Sequence, residues 1–442
     1  MAQVNSKDAQ RKISVVTLGC KANQYDTAAM LGRLPRSRYE INGNFTDKAN
    51  VYVIDSCTVT GKADSEARNY ARRAKKSNPR GVVVVTGCYA QVSPEEIASL
   101  KDVDYVIGNS HKFPALSEIV RKGKSQKNAR VFVSDLFSDK KRKFESPGIK
   151  NFPERTRAFL KIQDGCNYAC SFCIIPRARG RSRSLAPDEV LKRLETLYSN
   201  GYRETVLTGI HLASYGTDIG ASLVEMIRKI ENCSRPLPKI RLSSLDPADM
   251  SDELIRLCAD SESVCKSFHV SLQSGDGDVL KKMRRRYSPG HFMDCADLIR
   301  REMPDASIGT DIMVGFPGET ERQFQNTFEV ARDSELTYFH VFPYSIRKNT
   351  SACVMDGQVS KEVKKRRSLE MRELGAVKKQ SFYESFIGRT LPAISETRSI
   401  CMTDNYIPVA VDDSNLKAGV NLKVRIDSVC GEKAKGCVRS FC

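Results

Sequence analysis

Short apolar runs recur along this chain, each followed by a helix-length stretch, and that alternation restricts most of it to parallel α/β architecture. Up to residue 110 the unit repeats in one form: an apolar run, a polar or small residue, a cysteine, then a helical segment. Ile13 to Leu18 leads to Gly19 and Cys20, with a helix expected near Asp26 to Arg33. Val51 to Ile54 leads to Cys57 and a helix near Lys62 to Lys76; Val82 to Val85 leads to Gly87, Cys88 and a helix near Pro94 to Leu100. Tyr105 to Ile107 is a further short strand. A doubly wound parallel sheet is expected. Right-handed crossovers bring its cysteine-bearing loops to the carboxyl edge, where such sheets bind ligands.

The polar, lysine-rich stretch after Arg121, with Pro147 and Gly148, reads as a linker over 126–150. A second α/β pattern starts at Ala158 to Gln163. It continues with strands at Thr205 to Thr208, Ile240 to Ser243, Phe268 to Leu272, Ser307 to Val314 and Tyr338 to Phe342. Six strand–helix units fall short of the eight that close a barrel, so an open (βα)6 arc is expected. After the charged helical stretch Val359 to Phe386 the pattern turns to short strands: Thr390 to Ile394, Tyr406 to Val411, Leu422 to Ile426 and one near Val438. These suggest a small all-β barrel. The expected domains are thus 1–125, the linker, 151–380 and 381–442.

With 442 residues the chain is too long for one ordinary core. Lys and Arg number 71 against 53 Asp and Glu, a net +18 that suits a polyanionic partner. Residues 381–442 hold eight Lys and Arg against seven Asp and Glu, so the excess lies upstream. No run of apolar residues is long enough to span a membrane and the first residues lack an apolar signal core, so a cytoplasmic protein is expected. In that compartment the 15 cysteines are core thiols or metal ligands rather than disulfides.

Spacing separates the two. In Gln163-Asp-Gly-Cys166-Asn-Tyr-Ala-Cys170-Ser-Phe-Cys173, three thiols follow the first strand of the second pattern at x3 and x2 spacing. Thiolates hold iron–sulfur clusters, and a four-iron cluster takes four ligands; three leave one iron open to a chelating small molecule. A zinc knuckle would want a fourth Cys or His close by, and none follows in this loop.

This motif, placed after the first strand of an open barrel, resembles the radical S-adenosylmethionine (SAM) superfamily. The resemblance implies that SAM chelates the open iron and is cleaved to a 5′-deoxyadenosyl radical. It also implies that Thr208 and Gly209, Ser243 and Ser244, Gln273, Gly315 and Glu319, all at later strand ends, contact SAM. The strings Leu18-Gly-Cys-Lys-Ala-Asn-Gln-Tyr, Asp55-Ser-Cys-Thr-Val-Thr and Thr86-Gly-Cys-Tyr-Ala-Gln resemble the methylthiotransferase N-terminal domain. There Cys20, Cys57 and Cys88 would hold an auxiliary four-iron cluster, making two [4Fe-4S] clusters with Cys166, Cys170 and Cys173. The last domain resembles the TRAM type, an OB-like RNA-binding barrel. Thr208-Gly-Ile-His-Leu and His340-Val-Phe-Pro-Tyr344 are similar to the branch acting on N6-threonylcarbamoyladenosine in tRNA. Asp55-Ser56 stands where Asn-Thr is usual in the family, and Asp276 where a Cys is frequent.

The resemblance implies methylthiolation of carbon 2 of the modified adenine in the tRNA anticodon stem-loop. The auxiliary cluster would carry the sulfur, a second SAM would methylate it, and the base would leave its stack to enter the barrel mouth, where the two clusters face each other. Isopentenyladenosine in tRNA or an aspartate of a ribosomal protein are alternative acceptors. A non-catalytic iron–sulfur RNA-binding protein is the alternative of another class. No catalytic residue beyond the cluster ligands stands out, and His211 reads as structural. Basic runs at Arg72 to Lys76, Lys140 to Lys143, Lys281 to Arg286 and Lys364 to Arg367 suggest a phosphate track, with Arg284, Arg285 and Arg286 its centre. A flavodoxin or ferredoxin as electron donor, a monomeric state and no membrane partner complete the expectations.

Overall fold

The computed structural model describes residues 10–43, 45, 47–122, 129–138, 143–152, 155–413 and 416–441. The basic run beginning at Lys140 and the start of the 126–150 linker lie largely outside these residues. The chain divides into two compact units: one takes the chain up to Ile149 together with Ile174–Arg181, the other Lys150–Cys173 and everything from Ser182.

The first unit is built on six strands: β1 (Arg11–Thr17), β2 (Tyr39–Asn42), β3 (Val51–Ser56), β4 (Val82–Gly87), β5 (Tyr105–Ile107) and β6 (Arg130–Phe132). All are parallel, in the order β2-β1-β3-β4-β5-β6. The central strands read as unbroken apolar runs because both faces are covered. Val51, Val53 and Val84 pack on one side with Leu116 and Ile119; Tyr52, Ile54 and Val85 pack on the other. There the helix Gly61–Ser77 lays Ala67, Ala71 and Ala74, one stripe of an amphipathic helix, against the sheet. Two edge strands were not expected. β2 and β6 are half-exposed; Tyr39–Asn42 lacks an apolar run, and β6, with the short run Val131 to Val133, falls inside the stretch read as a linker. The order reverses between β1 and β3, which is where an open α/β sheet parts its loops into a crevice.

The second unit holds the expected open arc. Its strands are β7 (Ala158–Lys161), a two-residue pair β8 (Gln163–Asp164) and β9 (Arg183–Ser184), then β10 (Glu204–Thr208), β11 (Lys239–Leu242), β12 (Ser267–His269), β13 (Ser307–Val314) and β14 (Tyr338–Pro343). Parallel sets β7-β10-β11 and β12-β13-β14 are joined by the parallel bridges Ile240–Val264 and Leu245–Val270. The helix Lys361–Glu384 then runs against β14, with Gly375 on the Phe339 ring.

The chain ends in a closed barrel of β15 (Thr390–Ser395), β16 (Ile400–Thr403), β17 (Pro408–Val411), β18 (Asn421–Cys430) and β19 (Lys433–Phe441), in the order β15-β16-β17-β19-β18. β16 is the strand that sequence reading missed. The barrel docks on the amino ends of the arc's strands. Arg241 of β11 donates to Glu204 of β10 (2.8 Å) and to the carbonyls of Asp404 (2.8 Å) and Thr403 (3.2 Å). Arg157 reaches both Glu204 (3.3 Å) and Glu396 (2.8 Å). Tyr406 stacks on Tyr338 with ring centroids 6.1 Å apart, and Gly309 leaves room for the Tyr338 ring: a Cβ there would lie 2.2 Å from it. The carboxyl ends of the same strands carry the chemistry-bearing loops.

Candidate functional site

In the first unit Cys20, Cys57 and Cys88 stand just after β1, β3 and β4, at the carboxyl edge beside the reversal of strand order. Asn23 ties the loops together. Its amide N–H groups donate to the carbonyls of Leu18 and Ser56, each 3.0 Å away, at the ends of β1 and β3. Its Oδ1 faces the Sγ atoms of Cys20 (3.9 Å) and Cys88 (4.0 Å) and accepts from Arg179. Gly19 has φ +103°, and a Cβ there would lie 3.0 Å from the Cys57 thiol, so glycine lets the loop close on it.

Beneath lies a buried charge cluster. Lys112 meets Asp26 (3.1 Å) and Asp55 (3.6 Å), and Arg179 also meets Asp26 (3.3 Å). Asp55, the departure from the family pattern, is therefore the carboxylate partner of a buried lysine. Burial pushes the Cys57 thiol up to about 12, with Cys88 and Cys20 adding to the rise. It raises Cys88 as well, against the pull of Arg179. Thiols gathered beside buried cations suit a group that takes them as thiolates and releases their protons. Among the described residues no His, Cys, Asp or Glu trio is gathered as for a single ion. A four-iron cluster spreads its ligands around a cube, so the donor chemistry of these thiols fits it.

In the second unit Cys166, Cys170 and Cys173 follow β7 and β8 at the carboxyl side of the arc. The Cys166 Sγ accepts from the Tyr168 N–H (3.4 Å) and lies 3.9 Å from His211 Nδ1. Burial lowers the His211 imidazole, but Asp249, 2.8 Å from Nε2, and Cys166 outweigh it and hold it at about 9. Burial raises the Cys170 thiol while Arg285, 3.4 Å away, pulls it down. The loop is pinned by Ser171, whose N–H donates to Met283 O (3.0 Å) and whose carbonyl accepts from Ala352 (2.8 Å).

The expected cofactor contacts surround the same carboxyl ends. Thr208 ends β10 and Ser243 follows β11; both hydroxyls are buried without a hydrogen-bond partner. An unsatisfied buried hydroxyl costs about 1–3 kcal/mol, so the pair fits a polar ligand such as SAM. Gly209 lies against Gln163, whose Oε1 accepts from the His211 N–H (2.8 Å); a Cβ at 209 would meet it at 2.9 Å. Gln163, missed at the sequence level, thus organises this turn. Ser244 pairs with Ser271 (3.1 Å), and Gln273 bridges to β13 with φ +63°. Glu319 is buried; its Oε2 accepts from the Gly315 N–H (2.5 Å) and pairs with Arg367 (2.7 Å), which braces the loop after β13, while its Oε1 has no hydrogen-bond partner.

Several charges of the basic runs are paired within the protein. Arg285 pairs with Asp246 and Cys170, so its charge is committed inside the protein. Arg286 lies on the Tyr168 ring (4.1 Å), and only Arg284 and Arg286 of the three are exposed. Arg366 and Arg367 are tied to Glu321 and Glu319, and Lys75 to Asp104. Asp276 caps the helix Gly277–Lys282, an ordinary structural use of the second position where the chain departs from its family.

Comparison with known proteins agrees with this layout. The model of the radical SAM superfamily matches residues 160–331, and that of uncharacterized protein family UPF0004 matches residues 12–108. Threonylcarbamoyladenosine tRNA methylthiotransferase MtaB of Aquifex aeolicus (strain VF5) is 39% identical over 90% of this chain and 96% of its own length. A tRNA-2-methylthio-N(6)-dimethylallyladenosine synthase of Clostridium novyi (strain NT) is 31% identical over 89% of this chain and 87% of its own. In fold, the chain is similar to the radical SAM methyltransferase TsrM of Kitasatospora setae, solved with cobalamin and a [4Fe-4S] cluster. The TM-score is 0.56 and the identity 14%, over 78% of this chain and 77% of that one. With its cysteine motif on an open parallel arc and its relatives matched over nearly their full length, the chain belongs to the radical SAM methylthiotransferase family.

Proposed function

We propose that this protein converts N6-threonylcarbamoyladenosine beside the tRNA anticodon to its 2-methylthio derivative. The observation that carries the reading is the pairing of two cysteine trios, each at the carboxyl edge of parallel strands, in a chain whose relatives of that name match almost end to end. The division into 1–125, 151–380 and 381–442 then becomes one of labour: a sulfur-carrying domain, a radical-generating core and an RNA-binding barrel. When bound, the two clusters and SAM supply a one-electron reductant, a primary carbon radical and a methylated sulfur.

The chain's own residues do the rest. Cys166, Cys170 and Cys173 hold the first cluster and leave an iron open; Cys20, Cys57 and Cys88 hold the second. Thr208 and Ser243 offer their unpaired hydroxyls to SAM, while Gly209 and Gly315 permit close backbone approach. Asn23 and Gln163 fix the loops on which these groups stand.

Nucleoside mass spectrometry of tRNA after anaerobic incubation with reconstituted enzyme, reductant and SAM tests the reading. Conversion of the threonylcarbamoyl nucleoside alone is expected. Conversion of isopentenyladenosine instead would keep the chemistry and change the substrate. SAM cleavage with neither nucleoside converted would overturn the tRNA reading.

A further inference from the structure

In the run Lys281 to Arg286 the fold exposes Lys281, Lys282, Arg284 and Arg286 but draws Arg285 inward, leaving its side chain 8% exposed. A Schellman turn does this. The helix Gly277–Lys282 is capped by Met283, Arg284 follows at φ +59°, and the Arg284 and Arg285 N–H groups donate to the carbonyls of Lys281 and Leu280, each 2.9 Å away. The Arg285 guanidinium is then held from two sides. Nε donates to the Tyr287 hydroxyl (3.2 Å), which itself reaches the carbonyls of Ser271 and Leu272 (each 2.7 Å). Nη2 donates to Asp246, whose carboxylate also accepts from the Ala248 N–H (3.2 Å) in the turn Pro247–Asp249. With both anchors fixed, Nη1 meets Cys170 Sγ at 3.4 Å. An ion pair with Asp246 would need no more than a lysine; three donors aimed at three groups need the planar fork of arginine. A neutral thiol is a weak acceptor and gains little from a buried guanidinium, whereas on a thiolate the same bond is charge-assisted.

We propose that Arg285, acting through the Cys170 sulfur, raises the reduction potential of the cluster assigned above to Cys166, Cys170 and Cys173; the proposal rests on that assignment. An added electron makes a cluster and its thiolates more negative. A fixed N–H and a buried positive charge at one sulfur stabilise that state more than the oxidised one, and the potentials of such clusters follow net charge and the hydrogen bonds to their sulfurs. Asp246 opposes the charge but not the bond, because its carboxylate engages Nη2 and leaves Nη1 on the sulfur. Arg285 thereby sets a balance. It eases entry of one electron from a low-potential donor, and it weakens the same electron as a reductant of the SAM sulfonium.

The test is a redox titration followed by electron paramagnetic resonance, without SAM, on the whole reconstituted chain. Cys20→Ala, Cys57→Ala and Cys88→Ala in the parent leave one cluster to titrate. Arg285→Met combined with Asp246→Asn removes both charges and strands neither, so it isolates the hydrogen bond. It should make reduction about tenfold less favourable, a fall of ~59 mV for one electron. Arg285→Met alone, which leaves the Asp246 carboxylate, should fall further. Arg285→Lys, which keeps the charge without the fork, should lie between that variant and the parent. Iron content and melting temperature report whether each variant folds and loads, and the double variant decides if the single one does not. A double variant with the potential of the parent, or a higher one, would overturn the proposal alone. A parent that holds no cluster would overturn the assignment to Cys166, Cys170 and Cys173, and the proposal with it.

Discussion

Lys112 shows how much of the first unit hangs on single side chains. Its ammonium is buried between Asp26 and Asp55, and although burial works against its charge, the two carboxylates outweigh it and raise its pKa. Removing one partner from such a set strands the others. Lys112→Met should cost about 3–5 kcal/mol in denaturant unfolding of the first unit. A cost under about 1 kcal/mol would mean the carboxylates take up protons or water at little penalty. Residues of this kind were hard to read from sequence. The cysteines announced themselves by spacing. Asn23 and Arg179 did not, because a lone Asn or Arg signals nothing until the fold brings it to two strand ends or a thiol. The one hint for Asn23 is local: it stands three residues after Cys20, one turn along the helix Lys21–Leu31, with its side chain back beside the thiol.

At the level of elements, buried strands were legible and edge strands were not. β3 and β4 are covered on both faces and therefore carry the unbroken apolar runs Val51 to Ile54 and Val82 to Val85; β2 and β6 gain their pairing from neighbours, Tyr39–Asn42 having no such run and Val131 to Val133 being a short one inside a polar, lysine-rich stretch. The same tertiary dependence governs how the terminal barrel meets β10 and β11. Burial alone would lift the Glu204 carboxyl, but Arg241 and Arg157 hold it below its ordinary 4.5. A carboxyl whose folded pKa is depressed adds stability that is fully present above its unfolded pKa and is lost as pH falls through the folded one. Glu204→Gln should therefore destabilise most near neutral pH, by about 3–5 kcal/mol, with the gap to wild type closing below pH 4.5. Denaturation curves across that range check it; a gap independent of pH would point to packing instead. Gly309→Ala tests the same junction from the arc's side. The added methyl must displace Tyr338 and with it the Tyr406 contact, at about 1–3 kcal/mol. Thermal unfolding that matches wild type would mean Tyr338 has room to move.

Over the whole molecule, sequence periodicity announced the parallel sheet, the six-stranded arc and the closing barrel. The barrel's seat on the amino ends of the arc was not legible, since it is made by pairs such as Arg241 with Asp404, far apart in sequence and ordinary in type. That seat decides which part of the barrel's surface is left open. The Asp404–Tyr406 loop is occupied by the arc, whereas the β18–β19 hairpin turns Lys423, Lys433, Lys435 and Arg439 outward. With most of the +18 excess upstream and several upstream cations committed to carboxylates, the hairpin is a better candidate for phosphate contacts than Arg285. Each phosphate contact adds about one unit to the slope of log affinity against log salt. Replacing Lys423, Lys435 and Arg439 together by serine should flatten that slope for stem-loop RNA by about two to three units, while SAM cleavage, seated at the opposite ends of the arc's strands, stays intact. A slope equal to wild type would place the phosphate contacts elsewhere and leave the barrel reading RNA by shape.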